Sequence, residues 1–409
     1  MQIDGQRKND TDKAKPGLRL EALSISGFKA VKESSKISVG ALTLLIGRNG
    51  SGKSSVVEAL QWLQESLSVG LQRATEDRFQ LYEYLRNKRS RGTSIHLEFS
   101  GPNEPIQYYL EVSKAAGQHT RPIVVDEEFR IFPSRNQRKI IWTTKGRAGP
   151  AVRNIRRANP EREGDRLALS VVPRNLSASI DRAREFLRRM VVLRLSPTSM
   201  TGAVMLEPRV RGAMIDEQGR GLPALLAKMR IKQRAWVRRH VSRVISGIEN
   251  IKVVQTEKAR GYFAATERML SRGGTKLYDI PAWMLSEGTR RMTALFALLA
   301  VEPQPSLLVI EEIENGLDPW TLEYVLGELR AATQRGIQII LTTHSPFLLD
   351  HVGPEEVIHV RRERGDSTYT TITSYRDVIR YGGVVAPGAM YLSGYLTSQS
   401  QQDNVEEAE

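Results

Sequence analysis

Gly47-Arg48-Asn49-Gly50-Ser51-Gly52-Lys53-Ser54-Ser55 follows the pattern Gly, four residues, then Gly-Lys-Ser. Such a run is suited to holding phosphate. Its glycines let successive backbone N–H groups turn onto one anion, and the start of a following helix adds partial positive charge. Lys53 is spaced to reach β and γ oxygens, and the Ser54 hydroxyl to ligate magnesium. Asn49, Gly50, Ser51, Gly52 and Ser55 complete the expected cradle for ATP.

Two carboxylates and a histidine lie further along. Ser306-Leu307-Leu308-Val309-Ile310-Glu311-Glu312 reads as a buried parallel strand ending in acids, the place where open α/β sheets present groups to ligands. Glu311 is expected to face magnesium through water, and Glu312 to orient or deprotonate an attacking water. Leu341-Thr342-Thr343-His344 ends another apolar strand, and His344 is placed to sense the γ-phosphate. Taken singly, acids at a strand end are more often structural, and a histidine there is by default a cap.

Leu285-Ser286-Glu287-Gly288-Thr289-Arg290-Arg291 opens the apolar helix MTALFALLA. Ser286 serves there as an ordinary N-cap, or Ser286, Glu287 and Gly288 bind an anion through exposed N–H groups. The chain's own loop already supplies a phosphate cradle, so the anion expected at Ser286 is the γ-phosphate held by a second copy.

These groups need a framework. Leu18 to Gly47 alternates and then runs apolar, as edge strands followed by one buried strand would. Lys53 to Val69 carries one apolar face and predicts a helix. Residues 94–144 hold short β-like runs parted by Gly, Pro and Asn, which predicts an antiparallel sheet. Ser177 to Pro197 predicts a helix and then the strand VVLRL, and Gly221 to Gly247 a long amphipathic helix or a helical pair. The expected division is a tail (1–16), a first lobe with the phosphate loop and a β insertion (17–200), a helical and β insertion (201–284), a second lobe (285–396) and a tail (397–409).

The 409 residues include no cysteine, which removes disulfides, thiolate nucleophiles and cysteine-held metals. No stretch approaches the roughly 18 apolar residues of a spanning helix, and the polar start lacks a signal core, so the expected location is cytoplasmic with no membrane contact. A formal net charge of +14 favours a polyanionic or acidic partner. Ten basic residues fall between Arg130 and Arg162, and a second cluster runs from Lys228 to Arg243. Either cluster taken alone fits a solvated face.

The order of the phosphate loop, LSEGTRR, LLVIEEIENGLDP and ILTTHS resembles the ABC ATPase superfamily. Within it, SISGFKAVKE, IGRNGSGKSSVVEAL and TTHSPFLLDHVGPEEVIHV resemble the OLD-like and RecF-like group, related to structural-maintenance-of-chromosomes heads, from Leu18 to about Tyr395. The resemblance implies an α/β ABC-type head with a mixed central sheet, a flanking antiparallel lobe and a helical lobe. It further implies ATP and Mg2+ as ligands, hydrolysis between two copies, and Asp318 as an interface aspartate. Glu311 stands where much of the superfamily has Asp, and Asp318 where the OLD-like group often has His. Gln80 and Gln137 are the candidates for the glutamine that joins magnesium to the flanking lobe.

Asp350, Glu355 and Glu356 are too few and too near the last ATPase strand for a Toprim nuclease, so no effector of the chain's own is expected. The resemblance implies that such stand-alone heads act with a separately encoded nuclease or toxin, commonly in defence against phage, or in DNA repair. A RecF-like DNA-binding ATPase in repair is the alternative, through the clusters at 130–162 and 228–243. A transporter motor fits the charge and the lack of spans less well.

Overall fold

The computed structural model describes residues 17–102, 104–114, 121–134, 137–143, 166–206, 215–257, 259–271, 274–381 and 384–396. The basic cluster at 130–162 lies, past Arg130, outside the residues whose side chains are described. Arg130 itself pairs with Glu128.

Three sheets are present among the described residues. The first is antiparallel: β1 (Arg19–Phe28), β2 (Val31–Glu33), β3 (Ile37–Ser38), β5 (Thr93–Ser100), β6 (Ile106–Lys114), β7 (Pro122–Ser134) and β8 (Gln137–Thr143). The expected edge strand before the phosphate loop is an interior strand instead. β1 pairs with β2 and β3 on one side and with β5 on the other, so its alternation marks two faces of one sheet rather than an exposed border.

The central sheet runs β17-β16-β4-β15-β14-β9. Its strands are β4 (Leu42–Ile46), β9 (Val191–Leu193), β14 (Leu307–Ile310), β15 (Gln338–Thr343), β16 (Val357–Glu363) and β17 (Asp366–Thr371). Only β17 is antiparallel to its neighbour. Alternation divides the core in two. Leu42, Leu44, Leu308, Ile310, Ile339 and Leu341 face one cluster, while Leu45, Leu307, Val309 and Ile340 face the other. Strands buried on both faces read as continuous apolar runs, which is why β4, β14 and β15 stand out in the sequence.

On one face lie the antiparallel sheet and helices α1 (Lys53–Val69), α2 (Leu71–Phe79) and α3 (Ala178–Arg188). On the other lie α4 (Leu222–Lys228), α5 (Ile231–Val244), α6 (Glu287–Ala300) and α7 (Pro319–Gln334), with α8 (Pro387–Leu392) near the end of the described chain. The amphipathic stretch after Gly221 is thus a helical pair, parted where Met229 and Arg230 turn extended. A third, antiparallel sheet is formed by β10 (Val204–Met205), β11 (Ile248–Gln255), β12 (Arg260–Ser271) and β13 (Gly274–Pro281).

Candidate functional site

β4 delivers the loop 47–52 to the start of α1. Gly52 adopts φ 111° directly before Lys53, a conformation that L side chains rarely take, and a Cβ there would meet Ser367 Oγ at 2.2 Å. Gly50, at φ +73°, has open space where its Cβ would point. The C-terminal hairpin supports the loop from behind: Tyr369 Oη donates to Gly52 O at 3.0 Å, and Arg362 donates to Gly50 O at 3.3 Å. These two supports were not legible beforehand, because they arise from strands more than 300 residues later.

Lys53 is buried, and its ammonium is held by two carbonyls of the loop and faces His344. It donates to Gly47 O at 2.7 Å and Arg48 O at 3.2 Å, and lies 3.3 Å from His344 Nδ1. Burial pushes its pKa down to about 8, against the raising pull of Glu312, Glu314 and Glu311. Ser54 is exposed at the start of α1, whereas Ser51 and Ser55 are buried, and the Ser51 hydroxyl has no partner.

The parallel pairing of β14 with β15 brings Glu311, Glu312 and His344 to the same sheet edge as Lys53. Glu312 sits at φ 49°, which costs a non-glycine residue on the order of 1 kcal/mol and is held by its N–H donating to Thr342 Oγ1 at 3.0 Å. Its carboxylate accepts from Asn315 Nδ2 at 2.5 Å and lies 3.8 Å from His344 Nε2. Glu314 accepts from the His344 backbone N–H at 2.6 Å and so fixes that turn. The third acid of the IEEIEN run was visible in the sequence, but its contact with the histidine was not. Arg48, Asn49, Glu312, Glu314, Asn315, His344, Ser345 and Tyr391 of α8 line an open cleft beside the loop.

Glu311 is 6% exposed, with one oxygen bonded to Arg194 Nε and the other, Oε1, buried without a partner. Gln80 ends α2 at φ 64° and is exposed, and the Gln137 side chain lies outside the described residues. The side chain found at Glu311 is Arg194, which directly follows β9. Among the described residues no group of three or more His, Asp or Glu side chains is arranged to hold a metal alone. For magnesium shared with phosphate, Ser54 and Glu311 are fitting ligands.

Ser286, Glu287 and Gly288 do not line this cleft. Ser286 caps α6, its Oγ accepting from Thr289 N at 3.1 Å, so the cap reading holds within the chain. Buried Arg290 braces the approach by donating to Ala282 O at 2.9 Å and Leu285 O at 2.7 Å. A Cβ on Gly288 would lie 3.2 Å from Gly316 O, which brings this turn beside the loop that follows Glu312. Asp318 caps α7, accepting from Thr321 N at 3.0 Å and Thr321 Oγ1 at 2.7 Å.

This arrangement defines an ABC-type ATPase head. Residues 42–350 match the family described as "AAA domain, putative AbiEii toxin, Type IV TA system", and the chain belongs to that family. It is 33% identical over 78 residues to "Putative ABC transporter ATP-binding protein TTE0246" of Caldanaerobacter subterraneus subsp. tengcongensis, covering 19% of this chain and 31% of that protein. It is 40% identical over 60 residues to "Chromosome partition protein Smc" of Lactiplantibacillus plantarum, covering 14% of this chain and 5% of that protein. The chain thus matches under a third of either relative's length. A solved Smc head bound to the C-winged helix domain of ScpA shares the fold, with a TM-score of 0.51 at 15% identity, covering 88% of this chain and 99% of that one. Among the described residues no helix is long and apolar enough to cross a membrane.

Proposed function

We propose that this chain binds ATP with Mg2+ at residues 49–55 and hydrolyses it between two copies, as a switch for a separately encoded effector. The observation that carries the reading is the meeting of Lys53, Glu311, Glu312 and His344 at one edge of the central sheet. Lys53 holds β and γ oxygens in exchange for its bonds to Gly47 and Arg48. Magnesium, held by Ser54 and Glu311, supplies charge neutralisation on the phosphates when bound. Glu312, aimed by its left-handed backbone and by Asn315, takes the proton of the attacking water, and His344 orients the γ-phosphate.

Ser286 and Gly288 act on the nucleotide of a partner copy, and Asp318 lies at that interface. Their place outside the chain's own cleft supports this. The family description names a putative toxin and a type IV TA system, which supports a toxin as effector; a nuclease as effector and antiphage defence as context rest on the resemblance alone. Glu312→Gln tests the core of the reading. It keeps ATP binding, slows turnover by about a hundredfold or more, and accumulates the ATP-bound assembly. Hydrolysis at the unaltered rate would remove Glu312 as the base.

A RecF-like DNA-binding ATPase is the second reading. The exposed face of α5, with Lys232, Arg234, Arg238, Arg239 and Arg243, supports it. Reversal of Arg234, Arg238 and Arg239 to Glu then weakens DNA binding and flattens its dependence on salt, with nucleotide affinity unchanged. DNA binding that is absent, or indifferent to those reversals, leaves α5 as a solvated face.

A further inference from the structure

In the parallel pairing of β9 with β14, Leu193 lies opposite Ile310. The next residue of each strand, Arg194 and Glu311, therefore leaves the sheet edge side by side. The Arg194 guanidinium bonds Glu311 Oε2 through Nε and lies 3.5 Å from Glu58 Oε1 through a terminal nitrogen. Glu58 stands one helical turn after Ser54, so the two share a face of α1. The guanidinium thus lies between Glu58 and Glu311. Both acids are largely buried, with side chains 12% and 5% exposed, whereas Arg194 is 49% exposed.

Two buried carboxylates facing each other need a cation between them, since an unpaired buried charge is far costlier than a paired one. Arg194 supplies it from the solvent side, where its long side chain is able to withdraw. Glu58 also holds Lys29 through its other oxygen, and so remains paired when Arg194 moves. Glu311 keeps Oε1 buried and without a partner.

We infer that Arg194 is an internal stand-in cation for Mg2+: it neutralises Glu311 before the metal arrives, and it must give up that carboxylate, retreating onto Glu58, for the metal to load. The inference rests on reading Ser54 and Glu311 as the magnesium side of the ATP site. Magnesium loading is then a competition between two cations for one acid, with Glu58 setting the balance. Removing Arg194 favours the metal. Removing the charge of Glu58 leaves Arg194 no second acid to move to and disfavours the metal.

Two variants of the full chain distinguish this from a merely structural strut. Binding of a fluorescent ATP analogue is followed while free Mg2+ is titrated. Arg194→Gln lowers the Mg2+ concentration at half-saturation by about twofold to fivefold, the scale of a half-exposed ion pair. Glu58→Gln raises it. The thermal midpoint without metal falls in Arg194→Gln, and added Mg2+ with nucleotide restores more of it than in the unaltered chain. An unchanged or higher Mg2+ requirement in Arg194→Gln, or both variants shifting the same way, overturns the inference while leaving the ATP site standing. Arg194→Lys decides the matter if the glutamine variant does not fold: its single ammonium holds Glu311 less well, so a lower requirement supports the competition and an equal or higher one overturns it. An unaltered chain that binds the analogue without any Mg2+ dependence overturns the magnesium reading and this inference together.

Discussion

His344 Nδ1 lies 3.3 Å from Lys53 Nζ, so the end of β15 touches the residue that opens α1. A lysine ammonium has donors and no acceptor, which makes Nδ1 the acceptor and leaves the ring proton on Nε2, the nitrogen 3.8 Å from Glu312 Oε1. The histidine is thereby oriented by both charged groups. His344→Ala is expected to keep nucleotide binding, because Lys53 retains its two carbonyl partners, and to slow single-turnover hydrolysis by about tenfold to a hundredfold. An unaltered single-turnover rate would place His344 outside the chemistry.

The pH dependence of binding follows from Lys53. Its pKa is pushed down to about 8 by burial, so in the empty loop the phosphate-binding cation is complete only below that pH. Phosphate charge raises the pKa again, and binding above it must take up a proton. Affinity is therefore full below about pH 8 and falls as pH rises through it, approaching about tenfold per unit once well above. Calorimetry in buffers of different ionisation enthalpy should show proton uptake at about pH 9 and little at about pH 6.5. An affinity that stays level through this range would show that Lys53 remains charged in the empty loop.

The parts of this site that were legible in the sequence are those fixed by local pattern. Lys53 to Val69 is one helix because apolar residues recur on a single face and glycines bound both ends. Glu311 and His344 could be placed because the strands before them carry apolar runs, Leu307–Ile310 and Ile339-Ile340-Leu341. Arg194 was invisible for the opposite reason. It directly follows β9, inside the run VVLRL that patterning reads as a strand, yet its partner is chosen by the register between β9 and β14, which depends on the whole sheet. The support of Gly52 by Tyr369 is of the same kind. β13 gave no signal because most of its side chains are exposed on both faces, so it lacks the alternation of a half-buried strand.

The two-copy site stands or falls with Ser286. Ser286→Arg puts a long cation where a hydroxyl and bare N–H groups are to approach the partner's γ-phosphate, and closure should fail sterically. The substitution also removes the bond from Thr289 N to Ser286 Oγ, a cap worth about 1 kcal/mol, so a loss of hydrolysis alone would not separate a blocked interface from a weakened helix. Mixing separates them. Lys53→Ala removes the ammonium from the phosphate loop and abolishes nucleotide binding in its own chain, while its Ser286 stays intact. A dimer of one chain of each kind joins the intact loop of the Ser286→Arg chain to the intact Ser286 of the Lys53→Ala chain. An equal mixture should therefore recover part of the hydrolysis that neither variant shows alone, and nucleotide should be retained by the Ser286→Arg chain. Damage that spreads from the helix to the chain's own phosphate loop cannot be rescued in this way. Hydrolysis by Ser286→Arg at the unaltered rate, with the rate per chain independent of protein concentration, would mean that each chain works alone on its own nucleotide.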